Sequence, residues 1–413
     1  MDSAITCEYP PATMDEISQP QLGGRRRALP LAGSSLFVAT AFSGLGLIIQ
    51  LYLKSLDTPL FLIGLVSTLN SIGIMVGSWL WGTASDYFKR RRLLAFLTLG
   101  LAGFMGVLAV LPQANVVLAT AVLRSLMFAG VGTVSIAVVS ASSLLDRRGK
   151  NLSYISSSRS FGFASGSILA GILLALVGFR FTFILFTGLP LIAFGILWLL
   201  PNENPVERKS SMGMWKAIFT SGLIDLYLAT ALRQMAIFGT FALLYIYMES
   251  IGVPISLMGV VSAANGGTQV VALLAFGWLA DRVGRRRIFM LGFFLSAMVP
   301  LLFVFATNIY GMVAGYVTLG IAFSSLYVGS TAHIGDRVPP HRQGQMLGLY
   351  ESSRGLGGLF GPVIAGLLAP AIGFKGMFLV MSGIAALGFI VMMLGNTVLG
   401  RRITAGGETE GSG

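Results

Sequence analysis

Long apolar runs with short polar interruptions fill the chain from about residue 31 to residue 398. A helix needs about 20 mostly apolar residues to cross a membrane. Twelve segments reach that length: 31–53, 60–81, 93–111, 116–140, 154–177, 181–200, 222–248, 257–278, 288–307, 310–333, 345–369 and 376–398. Breakers and charges mark their ends, among them Asp57-Thr58-Pro59, Pro112-Gln113, Pro201 to Lys209, Gly252-Val253-Pro254 and Pro339-Pro340. The runs are too long and too uniform for the alternating strands of a barrel. The pattern predicts an all-α membrane protein with twelve transmembrane helices.

Composition supports that reading. Of 413 residues, 55% are apolar and 11% charged, with a mean hydropathy of +0.81. A soluble protein carries about 25% charged residues. A disordered chain and a coiled coil are excluded, and a soluble enzyme is a poor fit. The 53 glycines suit close packing of helices in lipid. One cysteine, Cys7, leaves no internal disulfide and no multi-cysteine metal site.

Charge placement predicts orientation. Of 28 Lys and Arg, 21 fall in the N-terminal tail, the C-terminal tail and the loops on the same side, including Arg25 to Arg27, Lys89 to Arg92 and Arg285 to Arg287. Three, Lys54, Arg180 and Lys375, fall on the other side, and four, Arg124, Arg159, Arg233 and Arg354, lie inside spans. The positive-inside bias puts both termini in the cytoplasm. It also explains the net charge of +12 without nucleic acid. Arg25 to Arg27 precede an apolar stretch, as in a secretory signal, but the stretch continues to Leu53 without a convincing cleavage site.

The chain repeats itself at an offset of 195 residues. Tyr52 matches Tyr247, Pro59 matches Pro254 and Gly64 matches Gly259. Asn70 matches Asn265, Asp86 matches Asp281, and Arg90-Arg91 matches Arg285-Arg286. Ser158-Arg159 matches Ser353-Arg354, and Gly178-Phe179 matches Gly373-Phe374. The expected organisation is a disordered cytoplasmic tail over 1–29, a six-helix bundle over 30–200, a cytoplasmic loop over 201–220, a second bundle over 221–400 and a tail over 401–413. Parallel six-helix halves are a transporter architecture.

Two loops carry a signature. Gly277-Trp278-Leu279-Ala280-Asp281-Arg282-Val283-Gly284-Arg285-Arg286 resembles the Gly-x-x-x-Asp-(Arg/Lys)-x-Gly-(Arg/Lys)-(Arg/Lys) motif of the major facilitator superfamily. Gly82 to Arg91 is a second copy, departing at Tyr87 and Lys89. The resemblance covers about residues 31–400 and implies two pseudo-symmetric bundles working by alternating access. It implies a conformational latch at Gly82, Asp86, Arg90, Arg91, Gly277, Asp281, Arg282, Arg285 and Arg286; separately, the equivalent places of Arg159 and Arg354 in the repeat favour a shared gating role. Physically, the glycine permits close approach, the Asp suits a helix N-terminus, and the arginines set topology or pair with acids.

Glycine spacing gives another pattern. Gly162, Gly166 and Gly171 in helix 5 match Gly357, Gly361 and Gly366 in helix 11, where Pro362 follows Gly361. The helix 5 copy resembles the family's antiporter motif but has Ser167 where that motif has Pro. Glycine every four residues makes a smooth face for close packing.

Ionisable residues inside a membrane are costly and usually serve a site or a partner. The substrate and coupling candidates are Arg124 (in a partial Arg-x-x-x-Gly-x-Gly match), Arg233, Gln50, Gln234, Tyr245, Tyr316, Tyr327, Asp225 and Glu351. His333 and His341 lack metal partners at ligand spacing, and no nucleotide-binding loop is present. No catalytic residue, metal or cofactor is expected, so the chain does not read as an enzyme. Two functions remain open. One is proton-coupled efflux of small amphipathic or apolar compounds; the other is carriage of an anionic metabolite by symport, exchange or uniport. A non-transporting sensor is a third, weaker reading. The expected setting is the cell membrane, as a multi-pass monomer among lipids, with small-molecule substrates, protons and no nucleic acid as partners.

Overall fold

The computed structural model of the chain describes residues 20–111, 113–142, 145–200, 223–337 and 340–407. Among the described residues it is helical throughout, with no strand. The helices are α1 (Pro20–Ser55), α2 (Leu60–Tyr87), α3 (Arg90–Val110), α4 (Ala114–Ser142), α5 (Leu145–Leu197), α6 (Ile224–Ala242), α7 (Leu244–Ser250), α8 (Ile255–Val283), α9 (Arg285–Phe305), α10 (Ile309–Arg337) and α11 (Pro340–Gly407).

Nine of these helices are long and apolar enough to cross a membrane, and α6 with α7 makes a tenth, bent by 43°. The apolar stretches of α5 and α11 are 44 residues each, about twice one crossing. Each is interrupted at a glycine with positive φ, 72° at Gly178 and 73° at Gly373. Glycine enters this region without a Cβ clash. Both breaks sit where the sequence separates spans 5 and 6, and 11 and 12. Helix α1 begins at Pro20, within the stretch read as a tail, and α11 runs past residue 400 to Gly407. Hydropathy locates where a helix leaves lipid, which need not be where it ends. The 201–220 loop lies outside the described residues.

The repeat is visible in side-chain packing. Tyr52 packs edge-on to Phe179 and Phe183, at ring separations of 5.1 and 5.6 Å. Tyr247 packs on the matching Phe374 and Phe378, at 5.6 and 5.0 Å. Arg159 lies 5.8 Å from the Phe128 ring, and Arg354 lies 5.9 Å from the matching Phe323 ring. In lipid, burial of apolar area drives helices together weakly, so such packing carries the association.

The glycine motifs join helices in two directions. Gly162 and Gly166 press on Leu36, Ala39 and Thr40 of α1 within one half; Gly357 and Gly361 press on the matching Ala231, Gln234 and Met235 of α6 within the other. The third glycine of each motif crosses between halves. Gly366 of α11 abuts Leu60 and Phe61 of α2, and Gly64 of α2 abuts Pro362 and Gly366. Symmetrically, Gly171 of α5 abuts Ile255 and Gly259 of α8, and Gly259 abuts Ser167. These crossings lie toward the end of the bundle opposite the arginine-rich loops. That far end also holds an ion pair between Lys54 and Glu249.

Candidate substrate site

The site is built around the break between α6 and α7. Leu243, between them, has φ −126° and ψ 9°, outside helical geometry. In an unbroken helix the Tyr245 N–H would donate to the Phe241 carbonyl. Here the amide of Gln50, from α1 in the other half, inserts between them. Gln50 Nε2 donates to the Phe241 carbonyl at 3.1 Å, and the Tyr245 N–H donates to Gln50 Oε1 at 3.3 Å. A side chain inserted into the helical ladder is a recognised cause of a bend. Gln50 therefore joins the two halves and bonds both members of the broken helical pair, and the Phe241 carbonyl also accepts from the Leu243 N–H.

Around this joint lie hydroxyls and aromatic rings. The Tyr245 hydroxyl is surrounded by Ser167 of α5, Ser262 of α8 and Tyr316 of α10. Ser167 also bonds Ser43 of α1 at 2.8 Å. Tyr316 is 2% exposed, and its hydroxyl makes no hydrogen bond among the described residues. Phe241 packs on Tyr316 at 5.3 Å and on Phe303 at 6.3 Å. Five elements thus meet at a polar spot walled by rings. Its centre includes three residues that the sequence nominated, Gln50, Tyr245 and Tyr316.

Arg124 of α4 is 1% exposed, and its Nε and Nη2 find no hydrogen-bond partner among the described residues. One turn further on, Phe128 stacks on Phe42 of α1 at 3.9 Å and meets Phe163 of α5 at 6.1 Å. Leaving a buried cation without a partner costs several kcal/mol, on the order of an unpaired ion in a low dielectric. Gly130 makes room for Trp81 and Leu97, and Gly132 for the Arg159 guanidinium. The two glycines of the partial motif thus serve packing around α4.

Arg233 has a different setting. Its Nε donates to Ser296 Oγ at 2.9 Å and its Nη1 to Gln234 Oε1 at 2.8 Å. Gly388 of α11 lies against its backbone. These partners all belong to the second half, and they make Arg233 and Gln234 a packed internal pair. Asp225, in the first turn of α6, faces Gly395 of α11, and neither carboxylate oxygen has a partner among the described residues. The helical spacing of Asp225 and Arg233 suggests a shared face, yet the bonds of Arg233 go to Ser296 and Gln234. Tyr327 is 56% exposed and stacks on Phe323 at 6.2 Å, away from the Tyr245 cluster.

In the latch loops, Arg90 is buried and donates to the Ser85 carbonyl of α2 at 3.4 Å and to the Ala137 carbonyl of α4 at 3.5 Å. Arg91 donates to the Trp198 carbonyl at 3.1 Å. Gly82 packs near Thr133 of α4. Arg282 lies 3.8 Å from the Trp278 ring, and Arg286 is exposed. The side chains of Asp86, Asp281, Arg285 and Glu351, and the packing at Gly277, lie outside the described residues. Sequence reasoning missed Phe241, Ser167 and Ser262 as site residues. The run from 222 to 248 has no proline to mark the break at Leu243, into which Gln50 inserts from a distant segment.

The sequence pattern of the Major Facilitator Superfamily matches residues 31–256 and again 226–409. The chain belongs to the major facilitator superfamily. Among its relatives, the multi-drug resistance efflux pump PmrA of Streptococcus pneumoniae is 22% identical over 328 residues, spanning 77% of this chain and 82% of that one. The multidrug resistance protein MdtG of Proteus mirabilis is 25% identical over 313 residues, spanning 72% and 76%. In three dimensions the chain is similar to a variant of the nucleoside transporter NupG, with a TM-score of 0.77 at 14% identity, covering 89% of this chain and 99% of that one. This superfamily is made of transporters, not enzymes. The chain is a multi-pass membrane transporter of small molecules.

Proposed function

We propose that the chain exports small amphipathic or apolar compounds in exchange for protons, by alternating access of two six-helix halves. The observation that carries this reading is the joint of Gln50, Phe241, Tyr245 and Tyr316, where both halves contribute to one spot that is apolar on its walls and hydrogen-bonding at its centre. Amphipathic ligands suit that combination, since a pocket of rings with a few fixed polar groups binds drug-sized compounds. The multidrug names of two relatives support the substrate class. The breaks at Gly178 and Gly373 and the bent α6–α7 pair support a count of twelve crossings. The loop charges support cytoplasmic termini. The far-end crossings of Gly64, Gly171 and Lys54 then close the outer side in this conformation. Asp225 and Glu351 are the proton-carrying candidates, and the working unit is a monomer.

A second reading, carriage of an anionic metabolite, is favoured by one specific observation. Arg124 is buried, and two of its donor nitrogens have no partner among the described residues, the arrangement a carboxylate or phosphate would satisfy. Purified protein in liposomes with an internal pH-sensitive dye separates the two. Proton movement triggered by cationic amphiphiles, and lost in Asp225→Asn or Glu351→Gln, supports exchange. A response to organic anions alone, lost in Arg124→Ala, overturns exchange and establishes the anion carrier.

A further inference from the structure

A cleft of about 260 Å³ lies at the basic end of the first half, lined by Arg91, Arg92, Ala95, Phe194, Leu197 and Trp198. It belongs to neither the Tyr245 cluster nor the Arg124 pocket. One rim is cationic and the floor is apolar among the described residues.

Three features give the cleft a ligand preference. First, α3 opens with Arg90, Arg91 and Arg92, has no acidic residue in its first turn and has no side-chain cap on its N-terminus. The N-terminal end of a helix is itself positive and favours an anion. Second, Arg91 is held in place: its Nη2 donates to the Trp198 carbonyl and its guanidinium lies 5.1 Å from the Trp198 ring. Arg92 stands exposed beside it. Arginine forks match phosphate oxygens. Third, exposed apolar side chains follow the cleft residues along both α3 and the end of α5. Trp198, Leu199, Phe96 and Leu99 are 67%, 72%, 56% and 44% exposed. In a membrane protein, such a surface is covered by acyl chains, and a tryptophan at the helix end marks the headgroup level.

We propose that the cleft between the start of α3 and the end of α5 binds the phosphate headgroup of an anionic phospholipid, with its acyl chains lying on Phe96 and Leu99. Basic pockets between helices at the cytoplasmic face are suited to such headgroups. A free phosphate shares the headgroup chemistry but has no use for the apolar floor. The second repeat supplies an internal control. Arg286 and Arg287 match Arg91 and Arg92, but Met393 stands where Trp198 does, and Arg282 lies on Trp278 instead. The site therefore belongs to the first half alone.

The test is native mass spectrometry of the full chain, titrated with phosphatidylglycerol and, separately, phosphatidylcholine. Phosphatidylglycerol binds preferentially to the unaltered protein. The Arg91→Gln/Arg92→Gln variant weakens it about thirtyfold, at a decade of affinity per 1.4 kcal/mol and about 1 kcal/mol per surface arginine. Arg92→Gln alone weakens it about fivefold, and this exposed position puts folding at no risk. Arg286→Gln/Arg287→Gln, which removes the same charge at the same membrane depth, costs less than about threefold. Equal losses in the two double variants overturn the site in favour of general surface charge. No preference for phosphatidylglycerol overturns it as well. So does displacement of the lipid by inorganic phosphate at equal concentration, which would make this a free-phosphate site.

Discussion

Lys54 and Glu249 occupy the same position in the two repeats and pair with each other, Nζ to Oε2, at 3.0 Å. The pair joins the end of α1 to the end of α7 at the face opposite the arginine-rich loops. Both side chains are more than a third exposed, so water and salt screen the attraction, and exposed pairs contribute about 0.2–1 kcal/mol. Its effect falls on whichever conformation closes that face. Lys54→Glu places two like charges in contact and slows transport by less than about fivefold. The exchanged pair Lys54→Glu/Glu249→Lys restores the rate. Transport assays in liposomes at low and high salt check this, because the difference shrinks as salt rises.

Gly64 and Gly259 admit no side chain without moving the opposite half. A Cβ on Gly64 would meet the Pro362 carbonyl, and one on Gly259 would meet the Ser167 carbonyl. Overpacking of this kind costs about 1–3 kcal/mol. Gly64→Val and Gly259→Val should each shift the halves apart at the far end and lower transport about tenfold or more. Gly46→Ala, where no atom lies within 4 Å of the added Cβ, is the neutral comparison. Distances between spin labels on the two halves report the shift.

Gln50→Ala removes both partners of the bend in one step. The Phe241 carbonyl and Tyr245 N–H then either rejoin as a helical bond, straightening α6 into α7, or the Tyr245 N–H stays unsatisfied at about 1–3 kcal/mol for a buried group, while the Phe241 carbonyl keeps the Leu243 N–H. Either result lowers the melting temperature or the transport rate, and Gln50→Glu, which cannot donate to Phe241, reproduces the loss. Thermal unfolding in detergent, measured beside transport, separates the two results.

Arg124 and Arg233 should part company when replaced by methionine. Arg233 uses its donors on Ser296 and Gln234, so Arg233→Met strands buried acceptors and destabilises the fold by about 1–3 kcal/mol. Nε and Nη2 of Arg124 have no partner among the described residues, so Arg124→Met removes a poorly compensated charge and raises stability by about 1–4 kcal/mol, while transport falls. Equal destabilisation by both changes would sink a binding role for Arg124. Melting curves and uptake assays on the two variants decide it.

The fold was largely legible because its signals are long-range averages. Apolar runs, loop charges and the 195-residue offset each sum over many residues, and the structure places Gly178 and Gly373, or Tyr52 and Tyr247, in matching settings. The site was less legible because its residues are decided by contact. Arg124 and Arg233 look alike in sequence, yet among the described residues Nε and Nη2 of the first have no partner and the second is bonded inside its own half. Gln50, Tyr245 and Tyr316 stood out as polar or aromatic residues in apolar spans, but Phe241 did not, since a phenylalanine among leucines carries no sign of a broken helix. Ser167 was read as the residue that spoils a proline motif, whereas its hydroxyl bonds Ser43 and neighbours Tyr245.

Gln50 and Tyr245 are repeat equivalents in direct contact, and two equivalents can touch only beside the two-fold axis that relates the halves. In a homodimer of one ancestral half, the residue there would face its own twin. Two glutamines or two lysines meeting across the axis could not divide the work, with one side bending and the other bracing, or one positive and the other negative. Fusing the copies into a single chain let these axial positions diverge. The bent helix with its brace is therefore a product of duplication followed by asymmetry, and it is available only to a protein whose two halves no longer share one sequence.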